Sequence, residues 1–313
     1  MKAAMRAAVE RYYRPLPPER LGWLRIVVFG YSLLYVLLQA RMFLDAAGFP
    51  PEEYRPVGIF SLLETQLSGH ALEALLIAFA ATGTMALAGW RFTVTGPAFA
   101  VLNLVLLSYR NSWGYIQHGE KLAALHVLIL ASSRAGDAVS IDARARSGDA
   151  AASPESYGWP VRLMAVVTAL SYVISAVTKL RYSGVQWITS DIVRNAVGWV
   201  ALRNEVLGLP SSPLGPLLLQ VSWVFNAIAV FTLIVELGAP LAFFRTLRTP
   251  WILAAVMMHW GILALMLIPF PYHLLGIPFL PFVAMERRFA QSSERVSLIA
   301  RRRPFRWKLD HGD

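Results

Sequence analysis

Lys179 is the residue of this chain best placed to do chemistry. It closes an apolar run in SYVISAVTKLRYSGVQW, residues 171–187, with Arg181, a glycine turn and Trp187 just beyond it. A lysine on the last turn of a membrane helix has two readings. It anchors its ammonium among the lipid headgroups, or it is a partly desolvated amine able to act as a base. His118, in the string QHGEK with Glu120 and Lys121, reads as an interfacial loop histidine or as a second site group. His126 follows eight residues later, a spacing that puts both histidines on one helical face. Glu236 in VELGAP and His259 in MMHWG stand inside apolar runs, where an ionisable residue is a functional hypothesis by default. Their plain readings are a carboxylate paired with Arg245, Arg248 or a neighbouring helix, and a hydrogen-bonded core histidine. His273, in a proline-rich segment, says little.

The elements that must position these residues are membrane helices. Hydrophobic residues make up 56% of the 313-residue chain and charged residues 15%, against about 25% charged in a soluble domain. The fold expected is all-α, a polytopic integral membrane bundle of about eight spans. At roughly 20 apolar residues per span, they run near 22–40, 70–88, 92–108, up to 133, 160–180, 216–244 and 251–268. The eighth, PFPYHLLGIPFLPFVAM, carries four prolines and is expected to be broken or re-entrant. An arginine-rich linker at 134–154 and an amphipathic loop at 181–213 separate the later spans. No short charged leader with a small-residue cleavage site opens the sequence, so the first apolar segment is expected to remain as a span.

The net charge is +10, and much of it gathers at residues 1–20 and 286–313, on the flanks of apolar segments. The positive-inside rule accounts for that distribution, and no nucleic-acid partner is expected. Both basic termini then lie in the cytoplasm, with Arg91, the 134–154 linker and the Arg245–Arg248 loop on the same side. The Tyr109–Lys121 segment and the Lys179–Trp187 turn fall together on the outer face. The chain has no cysteine, which removes disulfides, thiolate catalysis, iron–sulfur clusters and cysteine zinc sites. Neither GxGxxG, a P-loop, HExxH nor GxSxG is present, and no metal site is expected.

Several stretches together resemble the HTTM (horizontally transferred transmembrane) family, related to the vitamin K-dependent gamma-glutamyl carboxylase. They are RLGWLRIVVFGYSLL, QHGEKL, SIDARAR, YVISAVTKLRYSGVQW, and the pair VELGAPLAFF and VMMHWGILALMLIPF, in the family's order over most of the chain. The resemblance implies an HTTM-like transmembrane domain at 21–285 between basic cytoplasmic segments at 1–20 and 286–313. It also implies a bacterial cytoplasmic-membrane location. In the carboxylase a lysine deprotonates reduced vitamin K, whose reaction with oxygen generates the base that removes a peptidyl glutamate proton before carbon dioxide is captured. Carried over, Lys179 is the base and His118 assists it, while His259 and Trp187 line the place of a quinol cofactor, reduced vitamin K or another. The substrate would be an exported peptide or a small molecule, and the activity carboxylase-like (a carbon–carbon lyase type) or otherwise quinol-linked. With only the basic segment 286–313 after the last span, no counterpart of the large extramembrane region with which the carboxylase holds its propeptide is expected. A non-catalytic role in binding, transport, immunity or maturation of an exported protein stands as the alternative.

Overall fold

The computed structural model describes residues 15–63, 65–114, 119–146 and 154–286, and among these every regular element is helical. The principal helices are α1 (Pro18–Leu37), α2 (Gly69–Ala88), α3 (Phe92–Asn111), α4 (Lys121–Ala131), α5 (Gly158–Ser183), α6 (Ile192–Val206), α7 (Ser222–Leu237) and α8 (Arg248–Met266). Five of them, α1, α2, α3, α5 and α8, are long and apolar enough to cross a membrane, whereas α4 and α7 are shorter apolar helices. Most of the two basic terminal segments lies outside the described residues.

Two departures from the expected spans have local causes. The run at 216–244 is not one long helix. A short helix, Leu214–Leu218, precedes α7, and the Leu219 carbonyl between them is taken by the Arg194 guanidinium at 2.6 Å. After Leu237 comes a 3₁₀ turn, Ala239–Phe243, because Pro240 has no N–H with which to continue the ladder. The 181–213 segment is not simply a loop: α6 forms there and buries Val197, Val200 and Asn204 along one side. The proline-rich final segment is broken as expected, into a single turn at Pro271–Leu274 and a 3₁₀ stretch at Ile277–Phe282. Tyr272, His273, Ile277, Phe279 and Phe282 are all buried. Irregular backbone is tolerable at membrane depth when it is packed inside protein in this way.

Two apolar clusters fill the bundle, and α5 is their common wall. Helices α1 to α4 enclose the first, to which α5 adds Val161 and Met164. The second joins Ala165, Ala169 and Tyr172 of α5 to Val235 of α7, to Trp251, Ala255 and Met258 of α8, and to Phe279 and Phe282. Small residues on α5 let the neighbouring helices approach closely. Trp251 fastens α8 to α7 by donating its indole N–H to the Val235 carbonyl at 2.8 Å.

The arginine-rich end of the bundle is tied by polar side chains that include members of two of the family-like stretches. Arg25, fully buried in α1, donates to the carbonyls of Ala135 and Val139 at 2.7 and 2.6 Å. Asp142 of SIDARAR accepts from the N–H groups of Arg91 and Phe92 at 2.8 and 2.9 Å and so caps α3. Gly89 ends α2 in the left-handed region, at φ 67°, and a Cβ there would stand 2.4 Å from Ser140 and 2.7 Å from Arg25. Asp137, in the connection after α4, accepts from Arg134 at 2.6 Å and from Tyr157 at 2.9 Å. Burial alone would raise the Asp137 carboxyl; these hydrogen bonds and the charges of Arg134 and Arg146 outweigh it and hold it below the ordinary carboxylate value.

Candidate functional site

Lys179 stands one turn before the end of α5, and its side chain runs back along its own helix. In helices long side chains lean towards the N-terminus, and here the ammonium donates to the Ser175 hydroxyl, one turn earlier, at 2.8 Å. It also meets the Glu236 carboxylate of α7 in a close ion pair, with side-chain exposures of 20% for the lysine and 5% for the glutamate. An anchor would extend the other way, towards the headgroups. Lys179 is instead turned inward onto a buried carboxylate.

The same Glu236 oxygen, Oε1, accepts from Ser175 at 2.9 Å. The second oxygen, Oε2, is buried without a hydrogen-bond partner. Above the ammonium lies the Trp187 ring, 5.3 Å from Nζ, the geometry of a cation–π contact. Gly184, at φ 56°, reverses the chain between Lys179 and the short helix Gln186–Thr189 that carries this tryptophan. The indole Nε1 of Trp187 is likewise buried and unpartnered.

One face of α5 continues the polar array inward. Thr168, Tyr172, Ser175 and Lys179 follow one another at helical spacings of four, three and four residues. The Tyr172 hydroxyl is 3.5 Å from His259 Nδ1, at the limit of a hydrogen bond. His259 bonds the Ala255 carbonyl through the same nitrogen at 2.8 Å and stacks on His273, ring centroids 4.3 Å apart and 11° from parallel. His273 Nδ1 has no partner. At the foot of the stripe Thr168 donates to the Pro278 carbonyl at 3.0 Å and stands 3.2 Å from His126, whose Nδ1 meets the Tyr272 hydroxyl at 2.7 Å.

A second buried charge cluster lies between α1, α3 and the start of α4. Arg110 and Glu120 approach to 2.9 Å with side chains 6% and 7% exposed, a charge contact without hydrogen-bond alignment. Tyr35 donates to Glu120 in a close contact, and Arg110 donates to Gln39 at 3.0 Å and to Tyr35 at 3.1 Å.

Of the residues expected to form a site, Lys179 and Trp187 are in contact, whereas His259 meets Tyr172, which lies seven residues before Lys179 on the same side of α5. His118 lies outside the described residues. Gly119, which follows it, sits so that a Cβ would come 3.3 Å from Phe270, and Phe270 meets His259 edge-on at 5.4 Å. His126, grouped with His118 by spacing, makes a buried contact with Tyr272 and Thr168. Glu236 takes the neighbouring-helix option, through Lys179, and not Arg245 or Arg248. Tyr172, Ser175 and His273 were not anticipated. The first two carry a sequence signal, since they lie seven and four residues before Lys179, but His273 carries none. Among the described residues no three His, Asp or Glu side chains gather as a metal set would.

An all-helical membrane bundle with a buried lysine–carboxylate centre is thus the class of protein in hand. The HTTM domain model matches residues 13–284, and the chain belongs to that family of membrane proteins, related to the vitamin K-dependent carboxylase. No curated protein and no solved structure matches.

Proposed function

We propose that this chain is a membrane-embedded enzyme that uses Lys179 and Glu236 as a coupled acid–base pair on a quinol-type cofactor, in chemistry akin to that of the carboxylase. The observation that carries the reading is the buried pair itself, with Glu236 Oε2 left without a partner. Unpaired polar atoms in a protein interior cost about 1–3 kcal/mol each; two of them, on Glu236 and Trp187, belong to residues that touch Lys179, and a third, on His273, belongs to a residue stacked on His259. They fit a quinol: a carboxylate oxygen and an imidazole nitrogen accept from hydroxyls, an indole N–H donates, and Trp187, Tyr172 and Phe270 offer ring faces.

When bound, a reduced quinone supplies electrons and an acidic hydroxyl. The chain's own part is to hold and move one proton. As an ion pair, Lys179 and Glu236 carry that proton on the amine; passed to the carboxylate, it leaves a free amine and a neutral acid with the total charge unchanged. In a coupled pair such an exchange belongs to the two groups together and not to either alone. The amine can then accept a proton from a hydroxyl beside it, as a general base must. Ser175 keeps both partners aligned, and Trp187 covers the ammonium.

The test uses purified protein in liposomes of bacterial-type lipid, supplied with reduced vitamin K or reduced menaquinone. Quinol-dependent oxygen uptake and incorporation of labelled bicarbonate are both measured. Wild-type turnover should fall by about 10² to 10⁴ in Lys179→Ala, the range for loss of a general base. A well-folded double variant, Lys179→Met with Glu236→Gln, should be equally inactive. Unchanged turnover in Lys179→Ala overturns the proposal. A wild-type protein that binds the quinol without turning it over also overturns it and assigns the fold a binding role.

A further inference from the structure

We infer that the arginine-rich end of the bundle holds a specific site for one anionic membrane lipid, seated in the groove between the first turns of α1, α5 and α8. This groove is separate from the Lys179 centre. It encloses about 460 Å³ and is lined by Arg20, Arg162 and Arg248, with Phe243, Phe244 and Phe282 among its apolar walls.

Three features point to that occupant. The first is charge. Arg20 is balanced by Glu286 at 2.9 Å, but Arg248 makes no ion pair among the described residues. Its Nε is spent on the Ala242 carbonyl at 3.0 Å, which fixes the guanidinium and leaves its terminal nitrogens for another acceptor. Arg20 and Arg245, both cations, act on Arg248, so an anion beside its terminal nitrogens would relieve that repulsion. Guanidinium groups are the side chains best suited to a phosphate, through paired N–H donors.

The second feature is shape and polarity. A free inorganic anion needs no hydrocarbon wall, whereas Phe243 and Phe244, in and just after the 3₁₀ turn, and Val166 of the apolar helix α5 border this groove and are 38%, 60% and 40% exposed. They give it an apolar border of the kind an acyl chain would cover. The third is position: the arginines stand in or beside the first turns of three long apolar helices, at the depth of headgroups. A phosphate there also meets the positive ends of those helices. Together these select a lipid with a phosphate headgroup and net negative charge over a zwitterionic one.

The protein as purified from membranes would be examined by native mass spectrometry after exchange into nanodiscs of phosphatidylcholine with or without phosphatidylglycerol. One phosphatidylglycerol should stay bound per chain, and the phosphatidylcholine competitor should not. Arg248→Gln should weaken retention about fivefold, the order expected for removing one cation near an anionic lipid. Arg181→Gln, a basic change at the opposite end of α5, should leave it unaltered. Thermal unfolding with and without the lipid supplies a second readout if Arg248→Gln is poorly retained in nanodiscs: the variant should lose the lipid-dependent rise in Tm while keeping its lipid-free Tm. Equal retention of both lipids, or no effect of Arg248→Gln, overturns the inference. So does stabilisation by millimolar inorganic phosphate equal to that by the lipid, which would mark the groove as a site for a soluble anion.

Discussion

Breaking the Lys179–Glu236 pair from one side should cost far more than removing it whole. Glu236 is 5% exposed and its Oε2 already lacks a partner, so Lys179→Met leaves an isolated carboxylate in the bundle. For a fully buried pair the loss of one member costs about 3–5 kcal/mol. The lysine is 20% exposed, and water reaching that edge reduces the figure to roughly 2–3 kcal/mol. Glu236→Gln should cost less, because Lys179 retains Ser175 and its exposed edge. Lys179→Met combined with Glu236→Leu removes both charges, and replacing a buried pair by apolar side chains is often close to neutral. Thermal unfolding in a single detergent, followed by tryptophan fluorescence, reads the three variants together. At about 2–4 °C per kcal/mol, Lys179→Met should melt roughly 4–12 °C below wild type, with the double variant returning most of the way. Single-variant losses that simply add in the double variant would refute this: the pair would then be uncoupled and its burial would carry no energetic weight.

Two further outcomes concern the arginine-rich end. Gly89→Ala should lower stability by about 2 kcal/mol or more, because the residue has φ 67° and its Cβ would press on Ser140 and Arg25; a melting temperature within 1 °C or so of wild type, on that order of measurement, would contradict it. Asp137 supplies a pH test. Its folded carboxyl lies below the ordinary value of 3.8, so its contribution is present above that pH and is lost as the pH falls through the folded value. Asp137→Asn should therefore be less stable than wild type at pH 7, with the gap closing below about pH 4; a gap that persists in acid would disprove the assignment.

The early spans were legible because each is an unbroken apolar window closed by a local signal. Gly89 and Arg91, both in the left-handed region, divide α2 from α3 within three residues, and the sequence shows the same division at Trp90 and Arg91. Hydropathy could not divide 216–244, since nothing in the composition of LLLQVSWV reveals that Arg194, far along the chain, captures the Leu219 carbonyl. The site was half legible. A lysine after an apolar run and a glutamate inside one are both anomalous, so both were visible singly. Their pairing, and the inward lean that excludes the anchor, depend on how α5 packs against α7. His273 was invisible because its histidine partner lies on another helix and is met only by ring stacking.

The polar stripe on α5 also has a consequence for how the chain is made. Lys179 is synthesised 57 residues before Glu236, the carboxylate that neutralises it. At about 5–20 residues per second, the nascent helix waits roughly 3–11 s for that partner. Through this interval α5 presents an amine, two hydroxyls and a phenol along one side with α7 not yet made. The helix that centres the finished bundle is therefore made well before the carboxylate that neutralises its lysine, and its polar side is complete only once α7 has been added.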